Sequence, residues 1–183
     1  MSTLPSLPEL GSRAPDFALP DLDGRSVRLA DIRGAHGTLV MFICNHCPYV
    51  RSVIDRIVED SRTLMAEGIG VVAIMSNDYR AYPADAPDRM RALATEHGFP
   101  FPYLLDETQM VARAYEAVCT PDFFGYDADL ALRYRGRLDA SKTTPVPNAR
   151  RELLEAMRRI AATGQGPAEQ IPSMGCSIKW RAA

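Results

Sequence analysis

Hydrophobic positions along this chain change period several times, and each change marks an element. Residues 1–14 have little periodicity and, with Pro5, Pro8 and the following Pro15, predict an extended arm laid on the domain surface. From Asp16 to Leu29, apolar positions alternate on either side of Asp23-Gly24, a turn dipeptide, which predicts a β-hairpin. Residues 38–43 form a short, continuously apolar run, the mark of a strand buried on both faces of a sheet. A helical spacing follows from about Cys47 to Ala66, carried by Val50, Val53, Ile54, Ile57, Val58 and Leu64 and ended by Glu67-Gly68. A second buried strand spans residues 69–75, so this stretch is a β-α-β unit with a parallel pair and an expected right-handed crossover.

Beyond it, residues 76–83 form a polar loop at the carboxyl end of a strand, the edge where open α/β sheets place ligands. The pattern then predicts a helix over 87–96, a strand over 101–105, a helix over 108–118, and two antiparallel strands, 122–126 and 130–137, separated by Asp127-Ala128-Asp129. A last helix over 148–162 stops before Thr163-Gly164-Gln165-Gly166-Pro167, which opens a tail. That tail is expected to pack back through Ile178 and Trp180. The sum is a three-layer α/β/α fold with a mixed central sheet and an N-terminal hairpin extension, one domain over residues 1–183.

Chemistry concentrates where the first buried strand gives way to its helix, in Ile43-Cys44-Asn45-His46-Cys47-Pro48-Tyr49. A cysteine at such a junction faces the unpaired N–H groups and positive end of the helix, which favour thiolate. A second cysteine one turn on lies close enough to close a disulfide, so the pair can cycle between dithiol and disulfide. Pro48 is tolerated only in a first turn, which argues that the helix starts near Cys44. His46, as imidazolium, would stabilise either thiolate and make the disulfide more oxidising; its plainer reading is an exposed spacer. Asn45 either bonds a sulfur or caps the helix. A zinc site built from Cys44, His46, Cys47 and Cys119 or Cys176 is the rival reading, although no second C-x-x-C follows. Asp139, beside Arg135 and Arg137, reads as a solvated strand end.

Composition narrows the setting. At 183 residues, 46% hydrophobic and 24% charged, the chain fits an ordinary globular domain, and a formal charge of −2 offers no basic field for nucleic acid or an anionic membrane. No stretch approaches the ~20 apolar residues of a membrane span, and no signal peptide is evident. A cytoplasmic location is the expectation. Four cysteines are too few for a disulfide-built scaffold, so in a reducing compartment the C-x-x-C reads as catalytic or metal-binding.

With Ala14-Pro15-Asp16-Phe17, the Cys-Asn-His-Cys-Pro-Tyr-Val motif, Ser76-Asn77-Asp78, Cys119-Thr120-Pro121-Asp122-Phe123-Phe124, Tyr134-Arg135-Gly136-Arg137 and Gly175-Cys176-Ser177-Ile178-Lys179-Trp180, the chain resembles the thioredoxin-fold redoxins, and within them a peroxiredoxin-like (AhpC/TSA-related) bacterial group. The resemblance implies that Cys44 is the nucleophile and Cys47 the resolving thiol. It also implies that Thr120-Pro121 is the cis-proline loop facing them, where the residue before the proline is free to pair with an incoming peptide. Cys119 and Cys176 then become additional candidate redox thiols. For Cys119 the plainer reading is a small buried hydrophobe, and for Cys176 a structural or free thiol.

The implied activity is thiol-disulfide oxidoreduction with protein or small-molecule thiols and disulfides, a thioredoxin or glutathione reductant among them. The redox-active Cys44-Cys47 disulfide serves in place of a cofactor, and no resident metal is expected. Two alternatives stand beside it: a thiol peroxidase using Cys44, and a non-enzymatic metal-binding or thiol-sensing protein. Departures count against both relatives. Ile43 stands where thioredoxins carry tryptophan, and Gly37 and Met41 stand where peroxiredoxins carry the proline and threonine that orient peroxide.

Overall fold

The computed structural model describes residues 9–183. Its centre is a five-stranded sheet in the order β5-β4-β3-β7-β8, built from β3 (Gly37–Phe42), β4 (Ile69–Met75), β5 (Tyr103–Leu105), β7 (Asp122–Tyr126) and β8 (Leu132–Tyr134). β3 pairs parallel with β4, with Met41 opposite Ala73, and β4 parallel with β5, whereas β7 runs antiparallel to both β3 and β8. β3 is buried throughout, which explains why its sequence is apolar without alternation.

The alternation is present nonetheless, hidden in which helix each residue meets. Leu39, Met41 and Ile43 share a core with Val71, Ala73 and Met75 and with three helices, α3 (Ile54–Ala66), α4 (Pro87–His97) and α6 (Glu152–Thr163). Val40, Phe42, Val72 and Ile74 face the other way, into a core with Phe17, Leu19, Tyr115 and Phe124. That second face is covered by α5 (Met110–Tyr115), the short α1 (Leu29–Ile32) and the N-terminal hairpin of β1 (Ala18–Pro20) and β2 (Ser26–Arg28). Aromatic rings close it: Tyr115 lies 5.7 Å from both Phe42 and Phe124.

Several boundaries differ from the sequence pattern. The expected helix over 47–66 is broken. α2 (Pro48–Arg51) is a single turn, and α3 begins only at Ile54, because Val53 leaves helical geometry (φ −124°, ψ 8°). Ser52 supplies a cause, since its hydroxyl donates to the carbonyls of Tyr49 (3.3 Å) and Lys142 (2.6 Å), a competition that bends helices. The helix does not start near Cys44 either; Cys47 is the cap and Pro48 the first helical residue. α5 covers half of its expected span, held between Gln109 and Glu116, both left-handed. The polar loop after β4 contains a 3-10 turn, Pro83–Asp85. Of the N-terminal arm, residues 1–8 lie outside the described residues. The rest runs along the start of β8, where Gly11 N donates to Leu132 O and Ala14 N to Leu130 O.

One pairing has no counterpart in the sequence pattern. The tail returns as β9 (Cys176–Ser177) and joins β6 (Cys119–Thr120) antiparallel, with Thr120 opposite Cys176. Ile178 is buried as expected, whereas Trp180 is exposed, its ring lying 4.4 Å under the Arg113 guanidinium.

Candidate active site

The carboxyl ends of β3 and β4 deliver two loops to one place. Ile43 is the last residue tied to the sheet, its N–H bonded to Ile74 O (3.0 Å), and the chain then turns through residues 44–47 into α2. All four cysteines are free thiols, and Cys44 and Cys47 are 1% and 0% exposed. Both meet the loop after β6, where the Thr120-Pro121 bond is cis. Cys44 Sγ lies 3.4 Å from Thr120 Oγ1, and Cys47 Sγ donates to the Thr120 carbonyl at 3.3 Å. The motif and the proline loop, 73 residues apart in sequence, are therefore in contact.

Electrostatics divides the two sulfurs. The Cys44 thiol donates to the Cys47 sulfur, which pulls Cys47 down to about 4 against the opposing effect of burial; Cys176 and Thr120 assist. The same contact pushes Cys44 well above the ordinary thiol range, and burial and the nearby Asp85 carboxylate add to it. While protonated, Cys47 donates to the Thr120 carbonyl; when the pair loses a proton, the contact with Cys44 draws the charge toward Cys47, where the sequence pattern favours Cys44. A four-residue α2 provides little helix dipole, so local hydrogen bonds govern the distribution.

Asp85, fully buried at the end of the 3-10 turn, organises the motif. Its Oδ1 accepts from the Asn45 backbone N–H (2.8 Å) and its Oδ2 from Asn77 Nδ2 (3.0 Å). His46 Nδ1 sits 2.8 Å from the same Oδ2, off the line of a hydrogen bond, and the ring is stacked parallel to Tyr82 at 6.3 Å. His46 is one-third exposed, so it forms the outer wall of the site and is neither a free spacer nor a sulfur ligand. Asn45 bonds neither sulfur and caps no helix: its side chain donates to Ala84 O and accepts from the buried Tyr103 hydroxyl (2.8 Å). Burial, with Cys44 and Asp85 nearby, holds the Tyr103 hydroxyl well above its usual range and keeps it a donor.

Cys119 belongs to a different environment. Its neighbour Thr120 faces the cysteine pair, while Cys119 Sγ points to the Pro121 carbonyl at 3.6 Å. Burial, then the charge of Asp122, pushes its thiol up to about 12, the condition of an inert sulfur. Beneath it, Asp122 pairs with Arg135 (3.0 Å), whose guanidinium lies over Phe124, and this buried pair anchors the proline loop. Cys176, half-buried on β9, stands beside Cys47. Asp139 is buried, not solvated: Ser141 and Arg56 (2.7 Å) bond it and hold its carboxyl below the ordinary range despite burial.

Asp85, Asn77 and Tyr103 escape the sequence reading. Asn77 stands in the polar loop that the pattern places at the site's edge, but nothing local distinguishes Asp85 among 23 acidic residues. Cys44, His46 and Asp85 also bring three ligand atoms within 4.8 Å of one another, a set with the composition of a zinc site. Each Asp85 oxygen already accepts one hydrogen bond, from Asn45 or Asn77, and keeps a further lone pair.

Comparison with known proteins agrees with this geometry. The chain is 46% identical to an uncharacterized conserved protein of Geobacillus kaustophilus, whose crystal structure superposes with a TM-score of 0.91 over 98% of this chain and 95% of that one. It is 37% identical to a hypothetical protein of Sinorhizobium meliloti, with a TM-score of 0.93 over 97% and 98%. Among curated proteins, it is 28% identical to the "Thiol-disulfide oxidoreductase ResA" of Geobacillus thermodenitrificans over 64% of this chain and 63% of that protein. It is also 25% identical to the "Putative peroxiredoxin" of Mycobacterium tuberculosis over 84% and 87%. A thioredoxin domain from Bacteroides vulgatus, 20% identical with a TM-score of 0.59 over 71% of this chain and 89% of that one, shares the fold. The AhpC/TSA family pattern matches residues 10–135, and with a thioredoxin-like sheet carrying two cysteines against a cis-proline loop, this chain belongs to the AhpC/TSA family of redoxins.

Proposed function

We propose that this protein is a thiol-disulfide oxidoreductase working through Cys44 and Cys47. The observation that carries the reading is the meeting of two free thiols at the Thr120 hydroxyl and carbonyl. A thiolate of the pair attacks one sulfur of an incoming disulfide; the partner's second sulfur leaves with the electron pair and takes a proton. The neighbouring thiol then attacks the mixed disulfide, so the partner departs as a dithiol and Cys44-Cys47 closes. Run in reverse, the same steps oxidise a partner. Thr120, with its hydroxyl beside Cys44 and its carbonyl beside Cys47, orients both sulfurs, and Asp85 and Asn45 hold the loop that carries them.

Partners are protein or small thiols and disulfides, and a reducing compartment such as the cytoplasm, where structural disulfides are rare, suits a catalytic C-x-x-C. A cleft of about 500 Å³ beside His46, walled by Arg51, Arg89 and Glu96, suits a small acidic thiol such as glutathione. Among the described residues, no helix is long and apolar enough to cross a membrane.

Peroxidase chemistry is the second reading, favoured by the family and by the mycobacterial relative's name. Against it stands Met41, in place of the threonine that orients peroxide.

The test is parallel oxidation of the reduced protein by hydrogen peroxide and by oxidised glutathione, with thiol trapping and mass mapping. Closure of Cys44-Cys47 by the disulfide, with peroxide no faster than with an ordinary thiol, is expected. Rapid peroxide consumption through a Cys44 sulfenic acid overturns the reading in favour of the peroxidase. Stoichiometric zinc in protein purified without chelator, lost in Cys44→Ser, overturns it in favour of a metal site.

A further inference from the structure

A redox pair that is 1% and 0% exposed poses a physical problem, because thiol-disulfide exchange needs one sulfur to reach another along the bond that breaks. What lies over it is the C-terminal tail. β9 pairs with β6 so that Cys176 stands opposite Thr120, the position an extended peptide would take by adding a strand beside the proline loop. The tail is seated firmly. Gly175 packs so closely that a Cβ there would come within 2.0 Å of the Thr120 carbonyl, and the Ser173 hydroxyl donates to Pro121 O (2.6 Å). Further on, Lys179 N donates to Asn77 Oδ1 (2.9 Å), Asp78 N donates to Lys179 O (2.8 Å), and Ile178 is buried. The thiol that this segment holds beside Cys47 is half-buried, the most accessible sulfur in contact with the pair.

We propose that the tail is an intramolecular occupant of the peptide groove and that Cys176 is the sulfur through which the buried pair exchanges disulfides with its partners. This rests on the oxidoreductase reading above and deepens it. Starting from oxidised protein, the Cys176 thiolate attacks Cys47 Sγ. The Cys44–Cys47 bond breaks, the Cys47–Cys176 bond forms, and the electron pair leaves on Cys44, which takes up the proton that Cys176 gave. A partner thiolate then attacks Cys176 Sγ, and Cys47 departs with the electron pair. A second partner thiol attacks the Cys176 mixed disulfide, which returns Cys176 as a thiol and releases the partner as a disulfide. Two partner thiols are oxidised, and the pair ends as two thiols; every step runs backwards for a partner that arrives as a disulfide.

The charge distribution suits this order. Cys47, pulled down to about 4, is a good leaving group when the outer disulfide is attacked. Cys176 is pushed up to about 11, first by burial and then by its contact with Cys47. That contact loses its charge once Cys47 is in a disulfide, while the cation of Lys179 continues to favour the thiolate.

Two variants test it. Cys44→Ser, treated with oxidised glutathione and mapped after trapping, is expected to close Cys47–Cys176; a stable Cys47–glutathione adduct with Cys176 free overturns the relay. In the second arm, the Cys44-Cys47 disulfide is preformed in wild type and in Cys176→Ser, and its reduction by glutathione is timed. Reduction about tenfold or more slower in Cys176→Ser is expected; equal rates overturn the relay alone. If wild-type protein closes no Cys44-Cys47 disulfide with oxidised glutathione, the oxidoreductase reading fails and the relay with it.

Discussion

At the amino-terminal ends of β3 and β4 the chain is closed by backbone packed on backbone, whereas at their carboxyl ends it is closed by polar side chains. A Cβ on Gly34 would meet Gly70 N at 2.2 Å, and one on Gly70 would meet the Ile32 carbonyl at 1.9 Å. Nothing larger than hydrogen fits at either glycine, and neither offers reactive chemistry. At the opposite end, Asn45, Asn77 and Asp85 are buried and hydrogen-bonded to one another, with Tyr103 and two thiols packed against them. A buried polar network costs desolvation unless each member is satisfied, so here geometry is set by hydrogen-bond complementarity. The contrast teaches that the first end constrains folding and the second constrains the sulfurs. Substitutions should therefore separate stability from redox behaviour.

The sharpest break is at the reactive end. Cys47→Ser is expected to lower disulfide exchange by at least about 10³-fold because it removes a reacting atom, while its thermal midpoint stays close to that of the reduced wild type only near pH 4, where Cys47 carries little charge. Paired assays of insulin reduction and calorimetry check both halves. Gly70→Ala should do the converse: the added methyl meets backbone that cannot rotate away, costing ~3 kcal/mol, the upper range for overpacking. Denaturant titration reads that loss, and the surviving folded fraction should keep the wild-type reduction potential.

Asp85→Asn falls between the two. Removing the carboxylate charge beside Cys44 should favour thiolate in the coupled pair, read from thiolate ultraviolet absorbance against pH, while the disturbed bonds to Asn45 and Asn77 cost about 1–3 kcal/mol. An unchanged titration of the pair would remove Asp85 from the electrostatics of the site.

A pH dependence tests the charge itself. Cys47 is depressed from 9.0 to about 4 in the folded, reduced protein, so its ionisation stabilises the fold fully above pH 9. That contribution declines as pH falls and is gone below about 4. Cys44, raised, acts oppositely: its contribution is present below pH 9 and is lost as pH rises beyond it. The difference in thermal midpoint between reduced wild type and Cys47→Ser should therefore grow from pH 4 to pH 9, and a flat difference would contradict the charge on Cys47.

Much of the fold was legible because its signals are local. The apolar runs of β3 and β4, the Asp23-Gly24 turn and the Gly68 and Gly164 helix stops each act within a few residues, and the structure places elements where those signals point. Cys44 and Cys47 were legible for the same reason, as a spacing on one turn. The break at Ser52 was not, because its hydroxyl bonds Lys142, 90 residues away.

By itself, then, the sequence determined the order of strands and helices, the C-x-x-C at the end of a buried strand, and a proline loop of the right kind to face it. Only tertiary structure decided which sulfur holds the charge, that Asp85 rather than any other acid supports the motif, and that the tail lies in the peptide groove with Cys176 against Cys47. Burial and long-range hydrogen bonds set each of these. They arise between segments that approach only when the sheet assembles, and no periodicity within one segment encodes its distance from another.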